Sequence, residues 1–382
     1  MTKGMRLASV LPVLSLFGLC ASLDARTAAA IPRYSARYEQ NCALCHVNPS
    51  GGGLRTAYAT QYLAPVELTL KPYKPEALSR IDPQISKSLL IGADFRQMFH
   101  YSKDHTEYPA FTMQGDFYAQ FQADDRVLLY FDKGMSRSTE AFGIGYFLPW
   151  TGYVKVGRFT PSFGWRFDDH TAFVRQEIGL FPPGDSDQGV EVGIAPGRLE
   201  MQVGVLNGAL GASSDDDKRL SQSVNATYRL GLASIGMPKV GVGLGAGYWH
   251  NQGAGGTRST GGPHTYLKLG PVIWMAETDW SRVEAENDTH TELLSSHELT
   301  YEYLRGMYFK VTYDFKDPDI DRESGSRSRL GVGYEALPIP SVGIKAMWNV
   351  FRHGDAKGSG DAPAPFLGDE YDQLEVQLHL YY

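Results

Sequence analysis

The chain has 382 residues and a net charge of −7, with 42 Gly, 22 Tyr and three Cys. Mild acidity with scattered charge leaves no basic footprint, which excludes a nucleic-acid partner, and three cysteines leave no room for a disulfide framework. Beyond the N-terminus no stretch holds the long uncharged apolar run of a transmembrane helix.

Residues 1–30 read as a secretory signal peptide. Lys3 and Arg6 supply the positive start, Leu7 to Leu19 the apolar core, and Ala28-Ala29-Ala30 a small-residue cleavage site. The mature chain then begins at Ile31 and holds 382 − 30 = 352 residues. Phe17-Gly18-Leu19 before Cys20 is a poor lipidation signal.

Residues 31–86 form a short N-terminal segment and linker. Tyr34 to Tyr38 reads as a short helix leading into Cys42-Ala43-Leu44-Cys45-His46. The spacing C-x-x-C-H places two thiols where they can add to the two vinyl groups of one haem, with the adjacent imidazole as proximal iron ligand. Cys42, Cys45 and His46 are therefore the candidate site, and the cofactor is one covalent haem c. Zinc would want further Cys or His nearby, and a redox dithiol would want a βαβ context; both are missing. Gly51-Gly52-Gly53 either lets backbone lie close to a flat ring or is a plain turn. Leu54 to Leu63 reads as a second short helix that Pro65 ends. Two short helices are too little to cover a haem, so the segment borrows its covering from the rest of the chain. No Met or His occurs in 47–64 to serve as sixth ligand. The nearest candidates are Met98, His100, His105 and Met113, and an open sixth position is the alternative.

From residue 87 to 382 the hydrophobic period becomes two. Phe111, Met113, Gly115, Phe117, Ala119 and Phe121 alternate with Thr112, Gln114, Asp116, Tyr118, Gln120 and Gln122. Val240, Val242, Leu244, Ala246 and Tyr248 alternate with glycines, and the last segment sets Leu374, Val376, Leu378, Leu380 and Tyr382 against Gln373, Glu375, Gln377 and His379. Many such segments of ~10 residues are the mark of an all-β, antiparallel transmembrane β-barrel rather than a soluble sandwich. Tyr146, Trp150, Tyr248, Trp249, Trp280 and Tyr301 would supply the interfacial girdle. Short turns such as Ala195 to Arg198 alternate with long polar loops such as 211–219, 251–262, 316–328 and 354–368. Segments begin near 88, 109, 125, 139, 151, 171, 187, 199, 220, 238, 264, 272, 295, 306, 328, 340 and 371. That makes seventeen. An even number is required, and the segment near 171 is the weakest, so sixteen strands are expected, with eighteen as the alternative.

Within the barrel, Gly157 to His170 gathers Arg158 and Arg166, with Arg175 beyond, near Asp168, Asp169 and His170, and Pro161 and Gly164 break the strand pattern. Two readings stand. One is an in-folded loop whose arginines narrow the bore or meet a haem propionate, since the guanidinium fork suits carboxylates. The other is a salt-bridge cluster at a strand end.

The start Ile31-Pro32-Arg33-Tyr34-Ser35-Ala36-Arg37-Tyr38, the C-x-x-C-H at Cys42, Cys45 and His46, and the barrel behind them resemble the fused outer-membrane monohaem cytochrome–porin family, which includes iron-oxidising members. The likeness covers essentially the whole mature chain, but only C-x-x-C-H is residue-specific, and 47–53 departs from the iron-oxidising pattern. It implies a haem-bearing plug in a porin-like barrel, set in outer-membrane lipid. Electrons would then pass between a periplasmic cytochrome or other redox carrier and an extracellular donor or acceptor, iron(II) being the best-known donor. An electron-transfer protein is expected over a bond-making enzyme. The alternatives are a transport porin with a gating or sensing haem plug, and a haem peroxidase.

Overall fold

The structure, a computed structural model, describes residues 32–74, 77, 82–102, 110–135, 139–181, 184–212, 215, 217–232, 237, 239–253, 256–286, 288–322, 325–354 and 371–382. The expected signal peptide and His105 lie outside them.

A short strand β1 (Gln84–Ser86) turns into the barrel, pairing only with the start of β2 (Leu89–Ser102). The wall continues through β3 (Ala110–Gln122), β4 (Val127–Gly134), β5 (Thr139–Leu148), β6 (Gly152–Phe159), β7 (Asp187–Ile194) and β8 (Leu199–Leu206). Then follow β9 (Ser221–Gly231), β10 (Val240–Gly253), β11 (Gly256–Leu269), β12 (Val272–Glu284) and β13 (Thr289–Leu304). The last four are β14 (Met307–Asp317), β15 (Arg327–Ile339), β16 (Val342–His353) and β17 (Tyr371–Tyr381). Each strand pairs antiparallel with the next, and β17 pairs back onto β2 from Gln373 opposite Ser102 to Tyr381 opposite Asp94. The sixteen strands β2–β17 thus close into a ring with no free edge, which is the condition for a sheet to stand in hydrocarbon.

Polarity is inverted relative to a soluble protein. Phe99, Phe117, Phe121, Leu129, Phe131, Leu244, Trp280 and Trp348 are exposed on the outside. Inside, Glu277, Asp279, Glu298, Lys310, Asp314 and Arg329 are buried. An apolar exterior around a polar lumen is the transmembrane-barrel arrangement.

The sequence pattern needs four corrections here. No strand forms near 171; residues 160–181 and 184–186, between β6 and β7, fold into the lumen and carry, among the described residues, a helical turn, Phe173–Gln176. Residues 251–253 and 256–262 are strand rather than loop, because β10 and β11 run on as a tall hairpin from Val240 opposite Leu269 to Gly253 opposite Gly256. Trp249 is 2% exposed and packs inside; adjacent strand residues point to opposite faces, so only Tyr248 of that pair reaches the exterior. A bulge at Met113 breaks the alternation of β3: Arg96 pairs Gln114 and Gln97 pairs Thr112, leaving Met113 as the extra residue. Phe111, opposite Met98, then shares the face of Met98 and His100 instead of that of Phe117. One inserted residue reverses the parity of everything before it.

Residues 32–74 lie in the bore at the end where the strands are joined by short turns. Helix α1 (Pro32–Tyr38) starts with Pro, whose missing N–H is harmless in a first turn. A 3₁₀ turn spans Cys42–Leu44, and a π-helix spans Ala59–Leu68. Pro65 sits inside that second helix and does not end it. Leu70 and Lys71 donate backbone bonds to Leu337 and Pro338, at the β15–β16 turn.

Candidate functional site

The 3₁₀ turn is closed by the amides of Cys45 and His46, which both donate to the Cys42 carbonyl at 3.2 and 3.0 Å. The chain then doubles back through the glycines, so that Val47 donates to Leu54 and Thr56 to Cys45. This small hairpin presents Cys42 and His46 to the lumen. The reversal depends on Gly51, Gly52 and Gly53, whose φ values are +87°, +78° and +64°; side chains are strained in that region. Space is equally tight. A Cβ on Gly52 would stand 2.7 Å from the Arg166 guanidinium carbon, and one on Gly53 would overlap the Tyr130 hydroxyl.

His46 is 6% exposed. Its Nδ1 lies 3.3 Å from the Gly53 carbonyl oxygen, a contact that orients the ring and leaves Nε2 for coordination. Burial, reinforced by the Arg55 charge, pushes the His46 pKa down to about 4, so the imidazole is neutral, as a ligand must be. Cys42 and Cys45 are not joined in a disulfide. Burial and the nearby Cys42 push Cys45 up to about 12. Cys45 packs with Tyr34, Ala59, Leu63, Leu68 and Leu337, while Cys42 and His46 open onto a cavity in the bore. That cavity has a volume of about 240 Å³, just below the ~300–1,000 Å³ of ordinary small-ligand pockets.

Charged contacts seat the segment on the wall. Arg33 binds Glu335 of β15 bidentately, both bonds at 2.7 Å, and its guanidinium lies over the Tyr308 ring. Arg55 forks onto Asp94 of β2 at 3.0 and 3.3 Å. Lys268 of β11 meets Glu39 at 2.6 Å. Lys155 of β6 pairs with Glu191 of β7 at 2.7 Å and donates to Asn48 and Ser50 just past the motif. Asn48 is fully buried and donates to Glu140.

The in-folded residues 160–181 and 184–186 form the opposite lining. Phe163, Trp165, Phe167, Val174 and Leu180 pack against Trp249, Tyr266, Met275 and Leu294 of the wall. Gly247 makes room: a Cβ there would stand 3.2 Å from the Phe163 ring. Asp168 is held by Arg96 at 3.1 Å and Lys345 at 3.2 Å, and Asp169 by Arg329 at 2.8 Å. Burial would raise the Asp168 pKa, yet Lys345 and Arg96 hold it well below the usual carboxylate range. Burial, then the Arg96 charge, lower His170 to about 3.

Of the two readings of 157–170, the in-folded loop is therefore the one observed. Arg166 donates to the Gly51 carbonyl at 2.8 Å, and both it and Arg175 line the cavity. Arg175 spends its guanidinium on the carbonyls of Phe163 and Leu180. Arg158 is not brought to the cavity; it stays at the end of β6, bonded to Ser186 and the Ala212 carbonyl. Met113 lines the cavity, whereas Met98 and His100 face the lumen elsewhere, His100 standing 3.7 Å from Glu375. His170, His379, Asp94 and Arg55 also line the cavity and were not singled out as its lining from sequence. Asp94 and His379 carried no signal beyond a polar residue on a lumen-facing strand position, whereas His170 belonged to the 157–170 cluster.

The residues fit the attachment of a haem: two cysteine thiols within one turn and no disulfide between them, a neutral imidazole with Nε2 left for coordination, and glycines that add no side chain beside them.

No family model matches the chain, and no curated protein does either. Among solved structures, the outer-membrane expressed OmpT of Vibrio cholerae is similar with a TM-score of 0.57 and 11% identity, over 79% of this chain and 100% of that one. The anion-selective porin from Comamonas acidovorans gives 0.55 and 11%, over 77% and 99%. The outer membrane channel DcaP of Acinetobacter baumannii gives 0.55 and 11%, over 77% and 97%. At such identities the likeness is one of fold: this is a porin-like barrel. The neighbours' chains are matched almost whole, while about a fifth of this chain has no counterpart in OmpT.

Proposed function

We propose that the chain binds one haem c through Cys42, Cys45 and His46 inside the barrel and conducts electrons across the bacterial outer membrane. Its partners would be a periplasmic cytochrome or other redox carrier on one side and an extracellular donor or acceptor, iron(II) among them, on the other. The observation that carries this is the placement of a C-x-x-C-H motif in the bore, with Cys42 and His46 open to one cavity. Bound there, the haem supplies one-electron exchange. The chain's own work is to hold, orient and insulate. Gly53 fixes the His46 ring through Nδ1. Lys155 and Glu140 anchor Asn48, so the turn after the ligand does not swing. The barrel wall excludes lipid and sets the dielectric around the group, which tunes its potential. The apolar band of such a barrel is ~25 Å tall, a long single step for an electron, and a carrier within the bore shortens it.

The test is reconstitution in liposomes that enclose an electron acceptor. Wild type reduces it from an external donor, or the reverse, and His46→Ala does not. Equal rates in the two would sink the conduit. Covalent attachment is checked separately by haem staining on denaturing gels, which Cys42→Ala together with Cys45→Ala abolishes.

A second reading is favoured by the fold of the structural neighbours: a transport porin in which residues 32–74 gate the bore. Solute flux through reconstituted barrels distinguishes it.

A further inference from the structure

We propose that His170 is the second axial ligand of the haem iron, completing the site that His46 begins. The inference rests on the haem reading above. Haem iron in electron-transfer proteins takes imidazole or thioether as its second protein ligand. Among the described residues, the cavity that Cys42 and His46 open onto is lined by three further side chains of those kinds: Met113, His170 and His379. Two of them are already engaged. His379 Nε2 lies 2.6 Å from Asp94 Oδ1, and Asp94 is in turn clasped by Arg55. The Met113 sulfur accepts from Gln377 Nε2 at 3.2 Å. His170 makes no hydrogen bond within the described residues.

The chain around His170 is nonetheless fixed. Asp168 is clamped to Arg96 and Lys345, and Asp169 to Arg329. On the following side, Thr171 bonds its own turn through Asp169 and accepts from Arg329 at 2.6 Å. Four contacts to β2, β15 and β16 thus hold the backbone on both sides of a side chain that makes no hydrogen bond among the described residues. Such pinning has no use for packing alone, because the tip it fixes presents a polar ring to a void. It does suit a ligand, which must be positioned before the metal arrives. His46 reaches the cavity from the N-terminal segment and His170 from the in-folded residues, so the two imidazoles come from separate elements, as ligation from two sides requires.

The experiment uses the full chain produced with covalent haem, and reads ferric spin state by electron paramagnetic resonance and absorption, and reduction potential by titration. Wild type is low-spin with an imidazole–imidazole signature. His170→Ala keeps its covalent haem, turns high-spin, and returns to low-spin when imidazole is added. His170→Met, which retains bulk, stays low-spin and moves to a higher potential, since methionine ligation raises it. Met113→Leu and His379→Gln keep the wild-type spectrum. Unchanged low-spin iron in His170→Ala overturns the assignment, as does a high-spin wild type or conversion to high-spin by Met113→Leu or His379→Gln. A wild-type chain without covalent haem would instead overturn the haem reading itself, and the gel stain reports that independently.

Discussion

At the scale of single residues, the interior is held by charges that would be prohibitive alone. Lys155 and Glu191 are both fully buried and 2.7 Å apart. Each oxygen of Glu191 has a further donor, Tyr153 and Ser162, and Lys155 has Asn48 and Ser50. Breaking a buried pair leaves an uncompensated charge, at a cost of about 3–5 kcal/mol. Lys155→Met is therefore expected to lower the unfolding free energy of the barrel, read by denaturant titration, by that amount and to loosen residues 48–50. The double change with Glu191→Met recovers most of the loss, because no lone charge remains. A double variant no more stable than the single one would show that packing, not charge, decides this position. Residues of this class are not legible from sequence: Lys155 and Glu191 meet only once β6 and β7 pair, and a lumen-facing Lys looks like any other polar strand residue. Cys42, Cys45 and His46 stand out in the sequence because their pattern is a spacing along one turn.

At the scale of elements, residues 160–186 show how a break in a pattern becomes a structure. Pro161 and Gly164 stop the alternation after β6, and Gly164 adopts φ +50° directly against Glu277. The apolar run that follows, Phe173 and Val174 included, can be read as strand or as buried helix, since short apolar runs carry no decisive period. The wall decides. Glycines on the inner face of β10 open a groove, and Phe163 enters beside Gly247. Because these residues occupy lumen rather than complete the wall, replacing 162–183 by a short turn is expected to leave the barrel folded and to raise single-channel conductance several-fold in planar bilayers. An unfolded product would mean that the segment is part of the wall's stability. The bulge at Met113 is the other element-scale lesson: nothing in the alternation announces it, and it moves Met113 to the cavity and Phe111 off the exterior.

At the scale of the whole molecule, the barrel closes through its own ladder between β17 and β2, without help from the N-terminal segment. That segment is attached by the ion pairs Arg33–Glu335, Arg55–Asp94 and Lys268–Glu39 and by the backbone bonds of Leu70 and Lys71 to β15 and its turn. A chain lacking residues 32–74 should then still insert and migrate as a heat-modifiable barrel, with no haem and a larger conductance. If its conductance equals that of the full chain, the segment does not obstruct the bore, and the gating reading falls. Equal solute flux with and without the segment, together with electron transfer only when it is present, would separate conduit from porin.

What the sequence alone determined is local. The C-x-x-C-H spacing lies within one turn, and the barrel's period-two pattern lies within each strand, so both can be read residue by residue. The requirement for an even strand count turned seventeen segments into sixteen and discarded the one near 171, where the structure has no strand. What only the tertiary structure decided is convergence. Asp94, His170, His379 and Arg55 come from distant parts of the chain, and they meet because closing a ring folds β2, β17 and the in-folded residues around one void. Their positions depend on a closure between the two ends of the barrel, on a one-residue bulge and on a groove of glycines. No local rule carries these across hundreds of residues, because the free energy that places them is gained only when the ring is shut.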